Sequence, residues 1–165
     1  MRKAIILFGV VLLASCSTPP KTVTEFRAAM LGGAAFSKQE THNINREFSV
    51  VVSDVKRKST ECLNFGYTRT TRYGVNMSQT TDIYHPRVSV VGNSKAEMTM
   101  QIERLPKSTS APEGGYYVFL ADIQKTGADK TRMTMYGSSF PTWQAIFDAI
   151  KGWAEGKNVK CPDSP

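Results

Sequence analysis

Between Ala96 and Leu105 apolar and polar side chains alternate: Ala96, Met98, Met100 and Ile102 against Glu97, Thr99, Gln101 and Glu103. Successive side chains of a strand point to opposite faces, whereas a helix would scatter these two sets around its axis. The segment is therefore a strand with one face in a core and the other in water. Such a strand needs paired neighbours and an apolar layer over its inner face. Arg87–Val91 supplies one neighbour, joined as a hairpin across Gly92-Asn93-Ser94-Lys95. Tyr116–Lys125 is a strongly apolar strand, turned by Thr126-Gly127-Ala128-Asp129 into a returning Thr131–Gly137 with Met133 and Met135 inward. Upstream, Tyr67–Tyr73 alternates with Tyr67, Arg69, Thr71 and Tyr73 on one face, and Gly74-Val75-Asn76 turns it into Met77–Tyr84. His85-Pro86 is expected to interrupt or edge the sheet, because proline cannot donate to a ladder. Met77, Met98 and Met100 are expected to fill the core beside Met133 and Met135.

The covering layer comes from helices. Trp143, Ile146, Phe147, Ile150 and Trp153 recur at three and four, which makes one wide apolar stripe. Pro141 suits the first turn, and Gly156 suits the stop. Nearer the N-terminus, Arg46–Val52 reads as a first strand because Phe48, Val50, Val51 and Val52 are β-formers in a short run. Ser53 or Asp54 then caps a helix to about Asn64, with Val55, Ser59 and Cys62 on one face and Leu63 beside them. The expected fold class is α+β: a curved, antiparallel, multi-stranded sheet with two helices on one face, in the order β-α-β(n)-α. By that architecture alone it resembles helix-grip and TATA-binding-protein-like domains, including those of lipoproteins of the outer-membrane β-barrel assembly machinery.

The first residues read as an address. Met1-Arg2-Lys3 is basic, and Ala4–Ala14 is a run of 11 uncharged residues. At about 1.5 Å per residue the run spans roughly half of a ~30 Å hydrocarbon core, so it suits a secretory h-region rather than a membrane span. It ends in Leu13-Ala14-Ser15-Cys16, which resembles the lipobox of bacterial lipoproteins. That resemblance implies diacylglycerol on the Cys16 sulfur, signal-peptidase cleavage between Ser15 and Cys16, and acylation of the new amine. Ser17 at the next position resembles the outer-membrane sorting class rather than the inner-membrane one. The implied organisation is a signal peptide over 1–15, a lipidated tether and lead-in over 16–45 containing Pro19-Pro20 and Gly32-Gly33, and one periplasmic α+β domain over 46–165.

Processing changes the charge argument. The 165 residues carry 21 Lys+Arg against 14 Asp+Glu, a formal +7. Removal of residues 1–15 takes Arg2 and Lys3 and leaves 150 residues at +5. In the envelope, nucleic acid is not an expected partner. The membrane holding the anchor, an envelope protein and an anionic envelope polymer are. Two cysteines remain, Cys62 and Cys161, and an oxidising compartment favours a disulfide between them. It would fasten the chain's end to the end of the early helix.

Chemistry-bearing patterns are sparse. His42 and His85 lack a second histidine at metal-ligand spacing. Gly137-Ser138-Ser139-Phe140 lacks the second glycine of a nucleophile elbow and reads as a strand-to-helix turn. Glu97 and Glu103 share the exposed face of one strand. No metal and no cofactor is expected beyond the lipid on Cys16. One surface constellation stands out: Tyr67, Arg69, Arg72 and Tyr73, beside Lys56, Arg57 and Lys58. Arginine among aromatic side chains suits phosphates, sugars or a protein hot spot. The expected function is a non-enzymatic, outer-membrane-anchored periplasmic lipoprotein, a binding, assembly or structural module of the envelope. One alternative is a carrier of a hydrophobic envelope ligand in a groove between helix and sheet. Another is a hydrolase of cell wall or lipid.

Overall fold

The alternating segment lies inside a sheet, with a strand on either side. A computed structural model describes residues 19–163. In chain order these form α1 (Val23–Leu31), β1 (Ser37–Ile44), α2 (Phe48–Leu63), β2 (Gly66–Tyr73), β3 (Asn76–Val91), β4 (Lys95–Leu105), β5 (Tyr116–Gly127), β6 (Lys130–Ser138) and α3 (Pro141–Ala154). The six strands make one curled antiparallel sheet in the order β1-β6-β5-β4-β3-β2. Register shifts at Met100/Gln101 and at Lys125/Gly127 mark bulges, which bend a strand and increase its local twist.

Each sheet face has its own cover. On one, Met98 and Met100 of β4, Phe119, Ala121 and Ile123 of β5, and Met133 and Met135 of β6 meet α2 and α3. Val51, Val55, Leu63, Ile146, Phe147, Ile150 and Trp153 complete that core and are almost wholly buried. Trp143 packs against it only partly. On the opposite face α1 seats Phe26 between Leu120 and Tyr136, and Arg27 binds Asp122 and Glu97, each at 2.7 Å. Cys62 and Cys161 are joined by a disulfide across 99 residues of sequence, with Cα atoms 5.0 Å apart. It ties the segment beyond α3 to the last turn of α2.

Several expectations need correction. Among the described residues three helices are present rather than two, with α1 on the far face. Arg46–Val52 is not a strand: α2 starts at Phe48, because Phe48, Val51, Val52 and Val55 fall on one buried helical stripe. The lead-in over 16–45 holds α1 and an edge strand, β1, which pairs along its length with β6 from Ser37↔Ser138 to Ile44↔Thr131. His85-Pro86 does not break the sheet. β3 runs unbroken through it, because β2 ends opposite Ile83 and Pro86 lies on an open edge. The Tyr84 N–H donates toward the β2 side, to the Phe65 carbonyl at 2.9 Å, and Pro86 has the same parity. The missing N–H therefore costs no ladder bond. Met77 is 59% exposed rather than in the core.

Candidate functional site

The register of the outer strands leaves one element standing clear of the body. β2 pairs with β3 from Gly66↔Ile83 to Tyr73↔Asn76, while β3 meets β4 only from Thr81↔Leu105 onward. Residues 69–80 therefore form a two-stranded arm past the end of β4. Five residue steps separate Thr81 from Asn76, so at about 3.4 Å each the arm reaches ~17 Å beyond the sheet. Gly74, at φ 61°, is the first central residue of the turn, the place where a type II′ hairpin requires glycine. Val75 at the tip is 99% exposed, and Tyr67 near the root is 44% exposed. From Gly66 to Thr81 the chain contains Arg69 and Arg72 and no Asp or Glu. A bare two-stranded hairpin is marginal on its own. This one is fastened at its root. Arg104 grips the buried Asp82 through Nε at 2.7 Å and Nη2 at 3.1 Å, and the Phe65 and Tyr84 rings lie 4.8 Å apart. The Thr68 and Thr81 hydroxyls are 2.9 Å apart across the two strands.

The expected constellation is partly assembled here. Tyr67 sits opposite Asp82 and Arg69 opposite Thr80, on the face that carries α2 and α3 farther along the sheet. Arg72 sits opposite Met77 on the other face, and its Nη2 lies 3.8 Å from the Met77 sulfur. Tyr73 closes β2, and its side chain is outside the described residues. The two arginines thus flank the arm rather than share one surface. Lys56, Arg57 and Lys58 belong to α2. There Arg57 reaches Asp54 (3.3 Å) and Glu61 (3.5 Å), and Lys58 reaches Glu61 (3.3 Å). Ser15 and Cys16 lie outside the described residues.

At the same end of the sheet lies a mostly apolar cavity of about 390 Å³. Ile102, Pro106, Ala111, Tyr116 and Val118 line it, together with Pro19, the first described residue of the tether. Its roof is the loop between β4 and β5, held down where Gln101 Nε2 donates to the carbonyls of Glu113 (3.1 Å) and Gly115 (2.9 Å). Gly115 is obligatory: a Cβ there would stand 1.9 Å from the Ile102 carbonyl oxygen. By contrast, the space between the helices and the sheet, the place of the alternative ligand groove, is filled by the side chains of the main core.

Both histidines lie beside carboxylates. His85 Nε2 lies 3.3 Å from Glu103, and Lys107 Nζ lies 2.9 Å from the same carboxylate. Hydrogen bonding to Lys107, then to His85, holds Glu103 below the usual carboxylate range. His42 is on β1, 3.0 Å from Glu40. Burial pushes Glu40 up, but its hydrogen bonds from Lys38 and His42 outweigh this and leave it lowered. Among the described residues no group of three or more His, Cys, Asp or Glu is arranged to hold a metal, and no helix is long and apolar enough to cross a membrane. Sequence reasoning missed the projection of the arm and the cavity beside the tether. The signal for the first was present in the acid-free stretch between Glu61 and Asp82. No protein-family model matches the chain, and no curated protein sequence matches it.

Proposed function

We propose that the chain is an exported lipoprotein, held by lipid on Cys16 at the periplasmic face of the outer membrane. Its disulfide-pinned α+β domain is a non-enzymatic module that binds another envelope component through the arm bearing Tyr67, Arg69, Arg72 and Tyr73. The observation that carries this reading is the arm itself. It shows both edges and both faces to solvent, contains no acidic residue, and ends in an exposed apolar tip. Those features add nothing to the core and suit an anionic or amphipathic partner. A photo-crosslinking side chain at Thr70, in the lipidated protein in intact envelopes, is expected to give a discrete adduct. The same group at Asn93, at the opposite end of the sheet, is expected to give none. Equal labelling from both positions would sink the arm as the binding surface. Cys16→Ala is expected to release the protein from the membrane fraction, and acyl labelling that persists in this variant would refute the anchor.

A second reading, carriage of a hydrophobic envelope ligand, is favoured by the 390 Å³ apolar cavity beside Pro19, which falls in the size range of small-ligand sites. Native mass spectrometry of the purified full chain would then show a co-purifying lipid beyond the covalent one. A single mass with the Cys16 lipid alone would remove this reading.

A further inference from the structure

The arm and Pro19, the first described residue of the tether, lie at the same end of the sheet. β4 ends at Leu105, level with Thr81, and the arm continues past that level. Pro19 lines the same cavity as Ile102, Arg104, Pro106 and Lys107 at that end. Only three residue steps separate Pro19 from Cys16, a span of at most about 11 Å fully extended. The arm reaches ~17 Å. An arm longer than the span from Pro19 to Cys16, at the end of the sheet where Pro19 lies, is long enough to touch the bilayer in which the proposed Cys16 lipid would sit.

Its chemistry suits that encounter. Val75 and Met77 are apolar and exposed at the tip, Tyr67 stands nearer the root, and Arg69 and Arg72 lie between them on opposite faces. Tyrosines concentrate at membrane interfaces, and basic side chains near the surface are drawn to anionic headgroups. Two acidic groups at this end are paired, Asp82 with Arg104 at 2.7 Å and Glu103 with Lys107 at 2.9 Å, while Glu113 on the β4–β5 loop has no such ion pair among the described residues. We infer that the arm is a membrane foot: it docks on the anionic phospholipid surface of the membrane that holds Cys16, placing Val75 and Met77 among the headgroups and Arg69 and Arg72 on lipid phosphates. This rests on the anchoring reading above and names the partner of the same surface.

The test uses the lipidated full chain in vesicles of phosphatidylethanolamine and phosphatidylglycerol, compared with vesicles of phosphatidylcholine alone. An environment-sensitive fluorophore is placed at Val75→Cys, with Asn93→Cys as the reference. The Val75 probe is expected to shift to the blue and to be quenched by shallow spin-labelled lipid in the anionic vesicles, while the Asn93 probe remains in water. Arg69→Gln with Arg72→Gln is expected to lower the docked-to-free ratio of the arm by on the order of tenfold or more. A Val75 signal indistinguishable from that of Asn93 in anionic vesicles overturns the inference. So does a blue shift of the Val75 probe that appears in whole envelopes but in neither kind of vesicle. Flotation with the vesicles and the acyl mass on Cys16 are read in the same sample. A chain that floats with an exposed arm refutes the foot alone, and a chain that carries no lipid refutes the anchor and the foot together.

Discussion

Arg46 joins three parts of the molecule through one side chain and its own carbonyl. Its Nη1 donates to the Ala154 carbonyl at 2.9 Å, at the C-terminal end of α3, where a positive charge is favoured by the helix dipole. Its Nη2 donates to Asp54 of α2 at 2.8 Å, and its carbonyl accepts from the Thr131 hydroxyl at 2.9 Å. The Arg46 hydrogen bond is the chief cause holding Asp54 below its ordinary value of 3.8. A lowered carboxylate stabilises the fold above its unfolded pKa and loses that contribution as pH falls through its folded one. Wild type is therefore expected to exceed Asp54→Asn in stability above pH 3.8 and to converge with it at lower pH, as urea titrations at several pH values would show. A constant gap across that window would mean that the charge on Asp54 is not what the network uses. None of this was legible in the sequence. Arg46 read as the start of a strand, and its carbonyl partner at Ala154 lies 108 residues along the chain.

At the scale of elements, the strands with a buried face were legible and the polar ones were not. β4, β5 and β6 show their apolar periods directly. β1 reads Ser-Lys-Gln-Glu-Thr-His-Asn-Ile, and only Ile44 of it is buried, so no period marks it. It exists because the β6 ladder accepts a partner on its open side. α2 was half legible. Phe48, Val51, Val52, Val55, Ser59, Cys62 and Leu63 form one continuous buried stripe at helical spacing. The β-branched cluster at its head hid the first turn, and tertiary burial overrode that propensity. α1 is the most separable element, with Phe26 its one buried residue and Arg27 its lateral tie. Hydrogen bonding to Asp122 is the chief cause that raises the Arg27 guanidinium above its ordinary value. Phe26→Ala removes a buried ring, a loss of about 3 kcal/mol by analogy with other cores. Amide exchange over residues 23–31 is expected to accelerate at least about tenfold, with α2 and α3 unchanged. Equal loss of protection in all three helices would show that α1 is not a separate unit.

For the molecule as a whole, the disulfide is the main covalent restraint, and its two cysteines were identifiable once the third was assigned to the lipid. A bridge closing 99 residues contributes up to about 4–5 kcal/mol by loop entropy. Cys62→Ser with Cys161→Ser is expected to lower the urea midpoint by a corresponding fraction without changing the native far-ultraviolet spectrum. An unchanged midpoint would place the bridge outside the cooperative unit. The candidate site was legible in part for a related reason. Local composition marked Arg69 and Tyr67, but the clearance of the arm depends on β4 ending level with Thr81, a non-local register.

The same bridge sets an order of events. β6, α3 and Cys161 follow the other described elements in chain order, yet they complete the edge beside β1, the second helix of the main layer and the bond to Cys62. A polypeptide threaded through a pore N-terminus first cannot lock any of these until its final stretch has emerged. On the export route proposed above, the nascent domain stays unlocked, and so able to keep moving, until residue 161 has crossed. Joining the Cys62 and Cys161 thiols gives up two electrons to an external oxidant, so the bond closes only once Cys161 stands beside Cys62 in an oxidising compartment.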